Sequence, residues 1–145
     1  MVRLHTTSLV LLLALSGCGG NGVELASVEG TITIEGKPLS GAFVRFIPVN
    51  SGRTASGRTD ANGHYTMQYS VHDDGVLVGP AKVAITTGSL EDPKHSNETI
   101  AFEFNHETKL EVYVENKKNV FDFDVKPRPD MPKKAPAKNK FAEPD

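Results

Sequence analysis

Hydrophobic residues recur at every second position through most of this chain, and that period limits the fold more than any other feature. Val28, Gly30, Ile32 and Ile34 alternate with Glu29, Thr31, Thr33 and Glu35. The same pattern returns at Ala42, Val44, Phe46 and Pro48, at Tyr65, Met67, Tyr69 and Val71, and at Val83 and Ile85. It continues at Ile100, Phe102 and Phe104, at Leu110, Val112 and Val114, and at Phe121, Phe123 and Val125. Successive side chains of a strand point to opposite faces, so strict alternation predicts half-buried strands. β-Branched and aromatic residues fill the inward positions, as a pleated surface favours. No window carries helical spacing. Gly/Pro/Asn/Asp clusters separate the runs, at residues 35–41, 59–63, 72–75 and 115–119.

About seven strands, each with one polar face, need a second layer to cover their apolar faces. The expected fold is all-β, a single antiparallel β-sandwich spanning residues 27–125. With 145 residues there is little room for a second domain, and 38% hydrophobic with 23% charged residues suits a folded body.

The first residues follow a different rule. Arg3 precedes an unbroken apolar run at residues 9–15, followed by Ser16, Gly17 and Cys18, the only cysteine. A spanning helix needs about 20 apolar residues. The core of a secretory signal needs about 7–15. A lone cysteine forms no internal disulfide and no thiolate zinc cluster. Leu15-Ser16-Gly17-Cys18 resembles the lipobox of bacterial lipoproteins. The resemblance implies a signal peptide at residues 1–17, removed by cleavage before Cys18. The Cys18 thiolate would carry a diacylglycerol thioether and its freed amine a further, palmitate-type chain. Each buried methylene contributes about 0.8 kcal/mol, and one chain alone anchors only marginally. Two or three chains on one residue make a durable anchor. Gly19 resembles a residue that permits export, so the outer membrane is favoured over the inner. Residues 18–26 would be the lipidated cysteine and a flexible tether.

Three stretches of the body resemble the carboxypeptidase regulatory-like domain, a transthyretin-like sandwich. Residues 28–49 (VEGTITIEGKPLSGAFVRFIPV) are similar to its opening hairpin, and residues 57–67 (GRTDANGHYTM) to its Thr-Asp-x-x-Gly-x-Tyr segment. Residues 110–125 (LEVYVENKKNVFDFDV) are similar to its closing strands. The motif residues carry turn roles rather than chemistry. The Asp60 carboxylate closes a turn by accepting backbone N–H groups two or three residues on. Gly63 takes a positive φ, and Tyr65 begins the next strand and packs inward.

Catalytic groups are sparse. His5, His64, His72, His95 and His106 are scattered without metal-ligand spacing. His72-Asp73-Asp74 reads as a polar turn, with a weak cation loop as the sharper alternative. The start of a calcium loop at residues 60–63 lacks the later ligands. Lys37 and Asn119 have the residue types of an isopeptide cross-link, but Lys37 falls in a turn. A metal-assisted hydrolase would need His72, Asp73 and Asp74 to converge with His95 or His106. A small-molecule or glycan carrier would show a cavity between the sheets or an exposed aromatic platform, for which Phe43 and Tyr113 are candidates. Binding loops are expected at residues 50–57, with Arg53, and at residues 90–98.

Net charge is −2, which does not point to nucleic acid. Residues 19–125 hold nine Lys/Arg and fifteen Asp/Glu, whereas residues 126–145 hold six and three, with five prolines. That tail reads as disordered. At roughly 3.1 Å per residue it would reach about 60 Å, far enough to touch anionic polymers or lipid headgroups. The sequence therefore predicts a non-catalytic envelope protein, lipid-anchored through Cys18, without cofactor or metal, with an envelope protein or a glycan as partner.

Overall fold

The computed structural model describes residues 22–88, 97–105 and 107–130. Among them the chain is all-β: eleven strands and one short 3-10 turn at Phe102–Phe104. In order the strands are β1 (Leu25–Ala26), β2 (Val28–Ile34), β3 (Lys37–Pro38), β4 (Phe43–Pro48), β5 (Ala55–Arg58) and β6 (His64–Thr66). They continue as β7 (Val76–Leu77), β8 (Gly79–Thr86), β9 (Glu111–Val114), β10 (Asn119–Val120) and β11 (Phe123–Val125).

One sheet is built around β2, which pairs with β3, β6, β10 and β11. A second has the order β5-β4-β8-β9 and is antiparallel throughout. β1 and β7 form a small ribbon. The inner residues of both larger sheets join one hydrophobic cluster. Val28, Ile32, Tyr65 and Val125 come from the first sheet, and Val44, Phe46, Val83, Ile85 and Val114 from the second. The Phe46 and Phe121 rings meet at 5.9 Å between centroids, tilted by 40°, within the range aromatic pairs prefer.

The alternating positions account for β2, β4, β8 and β9, but four expectations need correction. First, the pairing is mixed rather than purely antiparallel. β10 and β11 run parallel to β2, with Asn119 opposite Val28 and Phe123 opposite Ile32. Side-chain alternation is the same in either direction, so periodicity does not distinguish them. Second, residues 100–104 do not form a strand. Phe104 and Asn105 donate their amides to the carbonyls of Ala101 and Phe102, at 3.1 and 3.0 Å. This 3-10 turn buries Ile100 and Phe104 and leaves Phe102 39% exposed.

Third, the strand expected to run on to Val71 stops at Thr66, and Val71 is 88% exposed. The Tyr69 and Ser70 amides turn back onto the Asp73 carbonyl, at 2.8 and 3.0 Å. Fourth, the ordered body is longer than residues 27–125. Leu25 and Ala26 pair with Leu77 and Val76. At the other end, Ala101 donates its amide to the Lys126 carbonyl at 3.0 Å and Arg128 its amide to the Thr99 carbonyl at 2.9 Å. The Arg128 guanidinium lies 4.7 Å from the Phe102 ring centroid and binds both Asp130 oxygens, at 2.6 and 2.7 Å. Composition marks residues 126–130 as part of a solvated tail, yet these backbone and stacking contacts hold them to the body.

Candidate functional site

Cys18 lies outside the described residues, as do His5, His95 and His106 and most of the loop at residues 90–98. What can be located is the turn motif, the polar clusters and one cleft.

Asp60 closes its turn from both sides. Its Oδ1 accepts the amides of Asn62 and His64, at 2.8 and 3.0 Å. Its own carbonyl accepts the Gly63 amide at 3.0 Å. Gly63 has φ 75°, and a Cβ there would stand 2.5 Å from the Ile32 carbonyl oxygen. The turn therefore presses directly on β2. Two residues on, Tyr65 is buried, and its hydroxyl donates to the Phe121 carbonyl at 2.7 Å. Burial raises the Tyr65 hydroxyl far above the ordinary phenol range, and the charge of Asp122 adds to that.

Asp122 and Asp124 fasten the closing strand to β2. Asp122 Oδ1 accepts the Thr31 amide at 2.7 Å, filling the gap in the ladder between β10 and β11. Asp124 Oδ1 accepts the Thr33 hydroxyl at 2.6 Å and the Gly36 amide at 3.0 Å. Those two bonds hold the Asp124 carboxyl below its ordinary range.

Glu98 was expected in an exposed binding loop and is instead fully buried. Its carboxylate accepts from the Thr86 hydroxyl, from the Thr87 amide (3.0 Å) and hydroxyl (2.5 Å), and from Asn105 Nδ2 at 3.0 Å. The amides of Thr99 and Ile100 add bonds at 3.0 and 3.2 Å. Burial pushes the carboxyl up, but the donors of Thr86, Thr87 and Ile100 outweigh it and set it below its ordinary value. A carboxylate ringed by donors is a satisfied anion, not a metal ligand or a general base. Thr86 and Thr87 come from the end of β8, more than ten residues earlier, whereas Thr99, Ile100 and Asn105 lie close by in sequence, and no motif marks the combination.

The His72-Asp73-Asp74 stretch is likewise bound up in its own turn. Asp73 Oδ2 accepts the Ser70 hydroxyl at 2.6 Å, and Asp74 Oδ1 accepts Gln68 Nε2 at 3.4 Å. Among the described residues, no three His, Cys, Asp or Glu side chains gather closely enough to hold a metal ion. Lys37 and Asn119 sit at opposite ends of β2, facing Ile34 and Val28. Asn119 Nδ2 instead donates to the carbonyls of Glu115 and Lys117, at 2.9 and 2.6 Å, and its Oδ1 accepts the Glu115 amide at 3.0 Å. It holds the corner where the chain passes from one sheet to the other.

The aromatic platform is not assembled. Phe43 lies opposite Thr86 and Tyr113 opposite Pro80, at the two ends of β8. At roughly 3.3 Å per residue they stand about 20 Å apart. Tyr113 is 64% exposed, whereas Phe43 lies beneath the Arg58 guanidinium, 4.5 Å from its ring centroid.

The loop with Arg53 does border a concavity. A cleft of about 190 Å³ opens between β5 with its leading loop and the segment after β6, lined by Arg53, Thr54, Ser56, Gln68, Tyr69 and Val71. Its two rims are joined by reciprocal bonds: Ser56 and Gln68 each donate an amide to the other's carbonyl at 2.9 Å.

Comparison with protein-family models and with curated proteins returned no match. Among the described residues, no helix is long and apolar enough to cross a membrane.

Proposed function

We propose that this chain is a non-catalytic, lipid-anchored protein of the bacterial cell envelope, more specifically of the outer membrane. In this reading its body is a transthyretin-like β-sandwich of the carboxypeptidase regulatory-like kind. The observation that carries the reading is the order of two features. A short apolar run ends at Leu15-Ser16-Gly17-Cys18, and strand pairing begins soon afterwards at Leu25. Cys18 is thus the attachment point, and the few residues after it join the lipid to the body.

Two sheets sharing one hydrophobic cluster support the sandwich reading. The carboxylates of Asp60, Asp73, Asp122, Asp124 and Glu98 are occupied by turn, strand and loop bonds, which supports a presenting body over a hydrolase. A fold by itself implies no activity. The function in this reading is to hold a binding surface close to the membrane.

Metabolic labelling with a fatty acid tests the anchor: label enters the wild type and is absent from Cys18→Ser. Label that survives the substitution places the fatty acid elsewhere and refutes the reading. Recovery of a partner from envelope fractions, with and without residues 131–145, tests the presenting role and separates the body's contribution from the basic tail's.

A further inference from the structure

The cleft beside Arg53 has the chemistry of a small, selective site. At about 190 Å³ it holds roughly six waters' worth of volume. Sites for drug-sized ligands start at about 300 Å³, so this one suits a single small ring. One wall is cationic: Arg53 is exposed and has no acidic partner among the described residues. Thr54 and Ser56 bring hydroxyls that make no side-chain hydrogen bond among the described residues. Gln68 offers its amide oxygen, because its Nε2 faces Asp74. Tyr69 and the exposed Val71 supply an apolar wall.

The backbone of both walls is tied down at several points. The Ser56–Gln68 bonds join them, and Ser70, on the same border, is held by its hydroxyl to Asp73 at 2.6 Å. On the loop, Gly52 packs so close to β7 that a Cβ would meet Leu77 Cδ1 at 2.3 Å. Arg53 follows directly from that contact. The acidic neighbours Asp73 and Asp74 point at Ser70 and Gln68 rather than at Arg53.

A guanidinium fork recognises a carboxylate through paired N–H donors. Hydroxyls and an amide oxygen recognise ring hydroxyls, and an apolar wall covers the C–H face of a sugar. From this set we infer that the cleft binds one carboxylated sugar residue, of the uronic acid class, through Arg53. The inference rests on the envelope reading only for where such a sugar is met; the chemistry of the cleft stands apart from the anchor.

The test is an NMR titration of the full chain in detergent micelles with three probes: glucuronate, glucose and acetate. Glucuronate shifts the amides of Arg53, Ser56 and residues 68–71 saturably. Glucose and acetate each bind at least about tenfold more weakly, since each lacks one half of the recognised group. Arg53→Gln weakens glucuronate by about tenfold or more, the loss expected for a charge-assisted pair. Lys82→Gln, on β8, leaves the titration unchanged. Glucose or acetate binding as well as glucuronate, no saturable shift at this cleft, or an Arg53→Gln variant that binds normally would each overturn the inference. None of these results depends on whether Cys18 carries lipid, which the labelling experiment reads separately.

Discussion

The Tyr65 hydroxyl donates to the Phe121 carbonyl at 2.7 Å, directly across Gly30 of the intervening strand β2. A Cβ on Gly30 would lie 1.9 Å from that same carbonyl oxygen and 3.0 Å from the hydroxyl. A bare backbone in β2 thus lets a tyrosine from one side reach the closing strand on the other.

Two substitutions separate the parts of this contact. Tyr65→Phe keeps the ring and leaves a carbonyl without its donor, which costs about 2 kcal/mol. Gly30→Ala drives a methyl group into backbone and costs about 3 kcal/mol or more. Denaturant unfolding of both variants gives the order directly. A Gly30→Ala protein as stable as wild type contradicts the packing described here.

At the Asp60 turn, the carboxylate and the glycine make separable contributions. Asp60→Ala removes the acceptor for the Asn62 and His64 amides and lowers stability by about 1–2 kcal/mol. Gly63→Ala meets both a positive φ and the Ile32 carbonyl, so the loss is larger, about 3 kcal/mol. Thermal unfolding of the two variants checks the ranking.

Glu98 sets part of the acid response. Its folded carboxyl lies below the ordinary value of 4.5. Its stabilisation is therefore complete above the ordinary carboxyl range and is lost as pH falls through the depressed folded value. Asp124, held low by the Thr33 hydroxyl and the Gly36 amide, acts in the same direction. Glu98→Gln removes the anion from its ring of donors and places an amide N–H₂ among them. The expected loss at neutral pH is about 3 kcal/mol, with a flatter decline in stability below pH 4.5. Stability measured by urea unfolding between pH 3 and 7 shows whether both changes occur together.

Asn119 serves the corner between sheets. Asn119→Ala strips acceptor and donors from Glu115 and Lys117 at once. The expected cost is about 2 kcal/mol, and hydrogen exchange should quicken first at the Glu115 amide. Unchanged exchange there would contradict this role for Asn119.

Sequence periodicity reaches as far as local physics does. Val28 and Ile32, or Val44 and Phe46, are buried because a pleated strand turns every second side chain to one side, and that is visible residue by residue. The direction of β11 beside β2 is not visible in that way, because it depends on how the chain crosses at Asn119. Residues 100–104 alternate as well as any strand, yet Glu98 takes the amides of Thr99 and Ile100 and the backbone then closes on itself. At the candidate site the loop carrying Arg53 is among the binding loops that the sequence predicts. Its opposing wall, Gln68 to Val71, is not, because those residues read as a continuing strand until the Ser70–Asp73 turn interrupts them.

The anchor at Cys18 is tested most directly by mass spectrometry of the N-terminal peptide, taken from protein extracted from bacterial membranes. The account predicts a peptide that begins at Cys18, with a diacylglyceryl thioether on its sulfur and a fatty acyl chain on its amine. An intact leader beginning at Met1, or a Cys18 with a free thiol, would contradict it.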